Sequence, residues 1–521
     1  MSKVTDAVDD LALPPEQPKR GMVATSHPLA AKAARDVLDA GGSAVDAAVT
    51  AAALLAVVDP MSTSLGGDGF ALVWDAENRA LHGHNGSGRA PALASIEALH
   101  ALGHDHMPTH GWLPVTVPGV VEHWAALIEK FGRRTFRQAL EPARATAEAG
   151  FEVTPVVARD WKRAALPTDS TGWSVPSPYL PVPAPGARHQ QPELAATLQT
   201  LQEEGWQSMY RGAIAARIAE ASEAAKGWLR ADDLASHEGS WVAPLEGVYR
   251  GHRVAQLPPN GQGIVVLEAL GMLDEFPLST MSEEERTHLQ IEAIKRAFED
   301  GLAHVGDPDH SYVDDLLSFD HLETRANSIE DRAATIVPKG PRLFGDTVYV
   351  SVVDPDGNAC SLINSVYMHF GARVVVDGMV MQNRGHLFSV DPAHPGALGP
   401  GRRPYHTILP AMVFRHDAPW IVFGVVGGPQ QPQAQVQLLV KMIDLGMAPQ
   451  DAVDAPRFRW MGGRRVALEI GTPKALREAL AARGHEIADD TSTFGYGGAQ
   501  VVFMDVDGPK GASDPRKDGV A

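Results

Sequence analysis

Two hydroxyl side chains flank a predicted β-hairpin within residues 343–365, LFGDTVYVSVVDPDGNACSLINS. The turn is DPDGN, because proline presets one backbone angle while the following glycine and asparagine tolerate the left-handed region. Symmetric pairing about Asp356 places Thr347 opposite Ser365, with their α-carbons about 4.5–5.5 Å apart. The two hydroxyls are either a candidate nucleophilic site or ordinary strand residues, since threonine is common in strands.

A glycine pair follows a predicted strand and precedes a predicted helix in GVVGGPQQPQAQVQLLV. Gly427 and Gly428 are followed by Pro429, and proline is typical of the first turn of a helix. Free amides of the turn and of the helix N-terminus can therefore point into one pocket and stabilise a negatively charged oxygen. A Gly-Gly pair is also a common ordinary turn, so its role depends on its surroundings.

A second glycine-rich turn, Gly66 to Gly69, precedes the predicted buried strand FALVWD. It lacks the lysine and the Ser/Thr of a phosphate-binding loop, and Asp68 would repel a phosphate. The pattern favours a close approach of two backbone segments. The histidines of the chain form no HExxH or paired metal-binding spacing, so we predict neither a metal nor a cofactor.

The elements that position these residues change character along the chain. Residues 28–58 read as two helices, the second capped by Ser43 with Asp46 three residues later. Residues 120–330 read as mainly helical, strands begin near Phe344, and helical patterns return before a final strand. Without an alternating strand–helix repeat, this order predicts an α+β fold in which two sheets pack on each other under outer helices, a four-layer αββα sandwich.

Composition limits the partners. The 521 residues include 45 Lys and Arg against 64 Asp and Glu, a net charge of −19, which argues against binding nucleic acid through a basic face. Cys360 is the single cysteine of the sequence, so an internal disulfide framework is excluded. The apolar run Ala44–Val58 is too short to cross a bilayer. We predict no nucleic-acid partner and no membrane partner.

The first twenty residues, MSKVTDAVDDLALPPEQPKR, are acidic and contain prolines. They lack the apolar run of seven or more residues that a secretory signal requires. We therefore expect a flexible lead-in over residues 1–20 and a cytoplasmic protein.

Ordered matches along the chain resemble the γ-glutamyltranspeptidase family of N-terminal nucleophile hydrolases. The segment GDTVYVSVVDPDGNACSLINS resembles the start of the family's small subunit, and GMVATSHPLAAKAARDVLDAGGSAVDAAVTAAALLAVVDP resembles the family's opening. VTVPGVVEHW, LPPNGQG, APRFRW and GASDPR match further along. The resemblance covers nearly the whole chain and implies the αββα fold of these hydrolases.

The resemblance also implies roles for the hydroxyl and glycine pairs. The precursor is expected to cut itself between Asp346 and Thr347, giving a large subunit of residues 21–346 and a small subunit of residues 347–521. The freed α-amine of Thr347, with a pKa near about 7.7–8.0, would then act as the base for its own hydroxyl. Ser365, where the family more often has threonine, would orient that hydroxyl. The amides of Gly427 and Gly428 would form the oxyanion hole.

Three positions depart from the family pattern for holding a γ-glutamyl group. The family's arginine corresponds to Ser87, its acidic residue to Leu387, and its serine pair to His406 and Thr407. Arg89, two residues after Ser87, could restore a contact to a carboxylate. No acidic residue is evident to hold an ammonium group.

These replacements resemble the branch of the family that contains oxamate amidohydrolase. Arg384 brings a planar cation that suits a small amide bearing a carboxylate. It could equally form a structural ion pair with an aspartate of the small subunit. Asn383, His406 and Thr407 could supply the remaining hydrogen bonds, and the N-terminal amine leaves His406 no role as the base.

We therefore predict a self-processing N-terminal-threonine amidohydrolase that acts through an acyl-enzyme on a small-molecule amide, oxamate-like in the first instance. The alternatives are γ-glutamyl transfer or glutathione hydrolysis, removal of a dicarboxylic acyl chain from a β-lactam, and a different class, an uncut binding protein without catalysis. The two fragments are expected to stay associated, and a homo-oligomer is compatible with the sequence.

Overall fold

The computed structural model describes residues 20–165, 176–338, 345–488 and 494–521. The predicted flexible lead-in lies outside the described residues except for Arg20. The α-helices of the described ranges are α1 (Pro28–Asp39), α2 (Ala44–Val58), α3 (Ile96–Ala101), α4 (Val120–Phe131), α5 (Phe136–Ala149), α6 (Pro155–Ala164), α7 (Pro192–Glu204), α8 (Ser208–Arg211), α9 (Ala213–Ala224), α10 (Ala231–Ala235), α11 (Gly263–Asp274), α12 (Glu283–His304), α13 (Phe319–Asn327), α14 (Gln430–Leu439), α15 (Pro449–Asp454) and α16 (Lys474–Ala482).

The strands fall mostly in runs between groups of these helices. They are β1 (Met22–Thr25), β2 (Asp68–Asp75), β3 (Ala80–Asn85), β4 (Phe151–Glu152), β5 (Arg188–His189), β6 (Ser240–Val242), β7 (Leu245–Tyr249), β8 (His252–Gln256), β9 (Asp346–Val353), β10 (Ala359–Tyr367), β11 (Val375–Val376), β12 (Met379–Val380), β13 (Pro410–Arg415), β14 (Ala418–Val426), β15 (Phe458–Trp460), β16 (Arg465–Leu468), β17 (Glu486–Ala488), β18 (Gly498–Asp505) and β19 (Gly508–Ser513).

Two six-stranded sheets form the centre of the part of the chain that the structure describes. The first has the order β1-β9-β10-β2-β3-β6, and the second has the order β19-β18-β14-β13-β8-β7. An apolar layer that includes Phe70 and Ile363 of the first sheet and Met412 and Val422 of the second lies between them. Side chains on alternate positions of these strands face the helices instead, because successive strand residues point to opposite faces.

Helices cover both outer faces of this sandwich. Helices α1, α2, α4 and α5 pack on the first sheet in one continuous core. Helices α11, α12 and α14 pack on the second sheet in another. The order of layers is helix, sheet, sheet, helix, so the predicted α+β αββα sandwich is confirmed.

The start of α2 follows the predicted capping. Ser43 accepts from the Asp46 amide through its side chain, and the Asp46 carboxylate accepts in return from the Ser43 amide, a reciprocal capping box. All residues of α2 are buried, which explains its alanine-rich composition between the sheet and its neighbouring helices. Among the described residues, no helix has both the length and the apolar run that a bilayer span requires.

The mainly helical interpretation of residues 120–330 misses three strands near its middle. Strand β6 joins the edge of the first sheet, while β7 and β8 complete the second. These strands are three to five residues long and partly exposed, so their apolar alternation is too short to stand out. As a result, each central sheet contains strands from both sides of residue 347.

Candidate active site

Thr347 lies near the start of β9 in the first sheet and is 1% exposed. Strands β9 and β10 pair regularly from Val353 with Ala359 to Val348 with Asn364, which confirms the turn centred on Asp356. The next regular step would pair Thr347 with Ser365.

The direct pair of Thr347 and Ser365 does not form. A bulge follows Asn364, and the next pair joins Tyr367 to Asp346. The Tyr367 amide donates to Ser365 Oγ at 2.8 Å, and Tyr367 has a φ of 76°, in the left-handed region that tyrosine seldom adopts. The hairpin therefore brings the two hydroxyl residues to one bulge, which redirects the chain beside Thr347.

Gly345, two residues before Thr347, lies close to the glycine pair. Gly345 has a φ of 128°. A Cβ on it would lie 3.0 Å from the Tyr367 carbonyl oxygen and 3.5 Å from Gly428 Cα. The backbone of Asp346 opens β9, and its side chain lies outside the description. The structure thus places the predicted junction beside the predicted oxyanion turn, in a space that favours glycine.

The glycine pair connects β14 to α14. Gly427 and Gly428 have φ values of 117° and 56°. Their carbonyls accept from the amides of Gln430 and Gln431 at 3.1 Å, which starts the helix. Because these two helical amides already have acceptors, the donors predicted for an oxyanion are the amides of Gly427 and Gly428 themselves. The position suits the stabilisation of an oxyanion.

Gln431 is a residue of the site that the sequence analysis did not single out. It is fully buried in the first turn of α14, and its Nε2 donates to Thr347 Oγ1 at 3.3 Å. The sequence signal was the unusual run of glutamines directly after the glycine pair. The nucleophile candidate and the oxyanion turn are therefore joined by one side chain.

Arg384 lies in a short 3₁₀ turn after β12 and is completely buried. Its Nη1 donates to Thr407 Oγ1 at 2.9 Å, and the guanidinium lies 4.6 Å from the centre of the Tyr367 ring. Its Nε and Nη2 have no hydrogen-bond partner in the structure. Within the described ranges no aspartate forms an ion pair with it, so the alternative of a structural ion pair is not found there.

The charge of Arg384 persists despite its burial. Burial lowers the pKa of the guanidinium to about 10, and the carboxylate of Asp68 opposes that shift. At neutral pH the group remains a cation with two unused donors. A planar cation of this kind binds a carboxylate through two parallel hydrogen bonds.

His406 holds Asp68 rather than acting as a base. The ring is fully buried, with Nε2 donating to Asp68 Oδ2 at 3.2 Å and Nδ1 accepting from the Ile408 amide at 3.4 Å. Burial first, and then the charge of Arg384, lower the pKa of His406 to about 3. His406 is therefore neutral at physiological pH, and both of its nitrogens are engaged.

Asp68 entered the sequence analysis only as an argument against phosphate binding, and it is the second site residue that was not predicted. It pairs with Ser365 across β2 and β10 and is fully buried. Its Oδ1 accepts from the amides of Gly88 and Gly119 at 3.0 and 3.2 Å and from Gln382 Nε2 at 2.9 Å. The predicted close backbone approach is present as well, because a Cβ on Gly67 would lie 2.5 Å from the Ser365 carbonyl oxygen. One acidic residue within GGDG was the available signal.

Two predicted binding residues, Asn383 and Arg89, form hydrogen bonds to other groups of the protein. Asn383 donates to the Thr109 carbonyl at 2.7 Å and accepts from the Met368 amide at 3.1 Å. Arg89 is partly exposed and donates to the Gly401 carbonyl at 2.9 Å. The structure therefore groups Arg384, His406 and Thr407, whereas Asn383 supports the loop around them.

Two groups of His and carboxylate side chains in the described ranges have ligand atoms close enough for a metal ion. Both lie in the outer helical layer around α12, and neither includes a residue of the candidate site. The members of the first group also bond to basic side chains, since Lys295 and Arg296 donate to Glu292. The groups are His288, Glu292 and His485, and Glu268, Asp300 and His321.

Comparison with known proteins places the chain. The family model described as gamma-glutamyltranspeptidase matches residues 30–521. The chain belongs to the γ-glutamyltranspeptidase family. The resemblance noted in the sequence is thereby confirmed, and so is the expectation of an enzyme.

Relatives of this family member match almost end to end. The glutathione hydrolase-like YwrD proenzyme of Bacillus subtilis (strain 168) is 36% identical over 519 residues, covering 96% of this chain and 98% of that protein. The oxamate amidohydrolase proenzyme of Klebsiella pneumoniae subsp. pneumoniae is 36% identical over 529 residues with the same coverage. The crystal structure of cephalosporin acylase from Bacillus halodurans is 40% identical, with a TM-score of 0.91 over 100% of this chain and 98% of that one.

Proposed function

We propose that this family member is a self-processing amidohydrolase whose nucleophile is Thr347. The observation that carries the proposal is the junction itself. Gly345 packs against Gly428, and Gln431 of the same turn donates to the Thr347 hydroxyl. Acyl transfer requires a nucleophilic hydroxyl and donors for an oxyanion. The predicted junction has the Thr347 hydroxyl, the glycine turn and the N-terminus of α14 close together.

The chemistry proceeds in two stages. In the precursor, Thr347 Oγ attacks the Asp346 carbonyl carbon, the bond to the Thr347 nitrogen breaks, and water then hydrolyses the resulting ester. The freed α-amine next takes the hydroxyl proton as Oγ attacks a substrate amide. It returns that proton to the leaving amine, and water releases the acyl group. The amides of Gly427 and Gly428 stabilise each tetrahedral oxyanion, and Ser365 orients the hydroxyl.

The proposed fragments are residues 21–346 and 347–521, preceded by the lead-in of residues 1–20. Their continued association is supported by the sheets. Strands β9 and β10 pair with β1 and β2 in the first sheet, and β13 pairs with β8 in the second. Separating the fragments would expose both layers of core between them. We propose that the enzyme is cytoplasmic. A homo-oligomer is compatible with the sequence.

The proposed substrate class is a small amide that carries a carboxylate. Arg384 supports it, because a buried cation with two unused donors binds an anion with little loss of hydration. Thr407 holds one end of the guanidinium, and His406 keeps Asp68 engaged elsewhere. Oxamate has an amide directly beside its carboxylate, and a relative is named oxamate amidohydrolase.

A second candidate is removal of an acyl chain that ends in a carboxylate from a β-lactam. The similarity to cephalosporin acylase over the whole chain favours it, and Arg384 could bind either carboxylate. γ-Glutamyl transfer receives less support. Ser87 donates to Asn85, and Leu387 is buried in the core. Two of the positions at which the family holds a γ-glutamyl group therefore have structural contacts in this chain.

Mass spectrometry of the intact purified protein beside Thr347→Ala and Thr347→Ser tests the nucleophile. Fragments of 346 residues, less any trimmed lead-in, and of 175 residues (521 minus 346) are expected from the wild type. The Thr347→Ala variant should remain uncut, while Thr347→Ser should be cut. An uncut wild type that is fully folded would favour the binding-protein alternative.

Substrate assays on the matured protein separate the enzyme alternatives. Ammonia release from oxamate should exceed dye release from a γ-glutamyl anilide, and the Thr347→Ala variant should release neither. A dicarboxylic acyl β-lactam is the third substrate. Preferred turnover of the anilide would replace the carboxylate-amide proposal with γ-glutamyl hydrolysis.

A further inference from the structure

Gln431 donates a hydrogen bond to the Thr347 hydroxyl oxygen, which forms and later breaks the ester bond in the proposed reaction. Its Nε2 donates to Thr347 Oγ1 at 3.3 Å, and its backbone amide donates to the Gly428 carbonyl at 3.1 Å. The side chain is completely buried, so water does not compete for this contact. One residue thus fixes the hydroxyl relative to the glycine turn.

The adjacent glutamine provides a contrast within the same helical turn. Gln430 is equally buried, but its Nε2 donates to the Phe458 carbonyl at 2.9 Å, which ties α14 to β15. Its bond is therefore structural. Gln431 directs its Nε2 at the hydroxyl of the proposed nucleophile instead. The two side chains therefore differ in what they donate to, while the Oε1 atoms of both have no partner among the described residues.

We propose that Gln431 is a further catalytic residue, which donates a hydrogen bond to Thr347 Oγ1 when that oxygen leaves as the ester breaks down. The inference rests on the proposed function, since it requires Thr347 to be the nucleophile. Water attacks the ester carbonyl and gives its proton to the α-amine. The bond from the carbonyl carbon to Oγ breaks, and Oγ takes a proton from the α-ammonium. Negative charge builds on Oγ in that step, so a donor there stabilises the transition state.

Self-cleavage tests this role without an external substrate. The protein is made by cell-free synthesis, quenched in acid at intervals and weighed intact, as wild type and as Gln431→Met. Loss of the donor should slow ester hydrolysis about 10- to 100-fold. The ester has the mass of the uncut chain, because it is an isomer of it. The variant should therefore accumulate a species of uncut mass that hydroxylamine splits, leaving a hydroxamate on Asp346.

Gln430→Met is the matched control, with the same change at an equally buried neighbour. It should cleave within about threefold of the wild type, because its donor serves the Phe458 carbonyl. Circular dichroism of both variants in the Thr347→Ala background checks that the uncut chains fold. If Gln431→Met cleaves at the wild-type rate and shows no hydroxylamine-sensitive species, the inference is wrong while the proposed function stands.

A second variant covers a failure of Gln431→Met to fold and supplies a readout that packing alone would not change. Gln431→Glu keeps the shape but donates only when its carboxyl is protonated. Burial raises the pKa of such a group, so its rate relative to the wild type should recover as the pH falls from 8 to about 5. A flat ratio would contradict the inference. A wild type that never cuts, or a Thr347→Ala variant that does, would instead overturn the proposed function.

Discussion

Two completely buried arginines in the second half of the chain are held in opposite ways. Arg457 donates to Asp514 Oδ2 at 2.6 Å and to the carbonyls of Tyr496 and Val453 at 3.0 Å, and only its Nε has no partner in the structure. Among the described residues, Arg384 donates to Thr407, and its Nε and Nη2 have no partner. Both stand in a low-dielectric interior, where an unpaired cation is costly.

The difference distinguishes an arginine that stabilises the fold, Arg457, from one that is available to bind a ligand, Arg384. Burial disfavours the ionised form of Asp514, but Arg457 and Arg516 outweigh it and the pKa of Asp514 is lowered. These ion pairs join the APRFRW and GASDPR segments, and each charged side chain in them has a partner of opposite charge. Arg384 lies over Tyr367, the residue paired with Asp346 at the junction. The Asp68 carboxylate favours its charge, but no carboxylate within the described ranges forms an ion pair with it. A carboxylate on the substrate would supply the ion-pair partner of Arg384.

Removing Arg457 should have the largest effect. Arg457→Met leaves the Asp514 carboxylate buried without its main partner, so the free energy of unfolding should fall by about 3–5 kcal/mol. Urea denaturation in the uncut Thr347→Ala background, where each variant is a single chain, measures it. A midpoint equal to that of the background protein would show that the network contributes little and would remove the contrast with Arg384.

Removing Arg384 should change activity and spare stability. Arg384→Met removes an uncompensated buried cation, so the denaturation midpoint should stay level or rise. In the matured enzyme, kcat/KM for a carboxylate-bearing amide should fall about 30- to 150-fold, equivalent to about 2–3 kcal/mol of lost charged hydrogen bonds.

An uncharged amide of the same size is the control substrate for Arg384→Met, and Arg384→Lys tests the fork geometry. Turnover of the uncharged amide should change little. Arg384→Lys should recover part of the loss, because lysine keeps the charge but not the paired donors. A fall in stability as large as that of Arg457→Met would identify Arg384 as structural.

A smaller effect should appear in the pH dependence of stability. The pKa of His406 is lowered to about 3, against about 6.5 in the unfolded chain. The unfolded state therefore binds more protons between these values, and stability falls as pH decreases from about 6.5 towards 3. His406→Gln should lose about 1–2 kcal/mol less than the parent between pH 7 and pH 5.

Only the change with pH tests this prediction, since His406→Gln also loses the bond to Asp68 at every pH. Midpoints at pH 7 and pH 5 in the Thr347→Ala background give it directly. Equal pH losses in the variant and its parent would mean that His406 titrates normally in the folded protein.

The parts of the site that the sequence analysis identified are local in the chain. The DPDGN turn determines the register of β9 and β10, and the Gly-Gly-Pro run starts α14. Backbone preferences over a few residues decide such features. The sequence analysis missed β6, β7 and β8 for two reasons. Strands β6 and β8 pair with β3 and β13, which are distant in sequence. Strands β7 and β8 also form a local hairpin, but they are too short for their apolar alternation to stand out.

Sequence alone thus determined the hairpin, the glycine turn before a helix, the layered fold and membership in a family of self-processing enzymes. Tertiary structure decided which groups meet. It placed Gln431 against Thr347 from 84 residues away, and it gathered two glycine amides, Gln382 and His406 around Asp68. It also left two guanidinium nitrogens of Arg384 without a partner in the part of the chain that the structure describes. The physical reason is that hydrogen bonds act over about 3 Å, and burial sets the strength of a charge. Neither quantity exists until the sheets have packed.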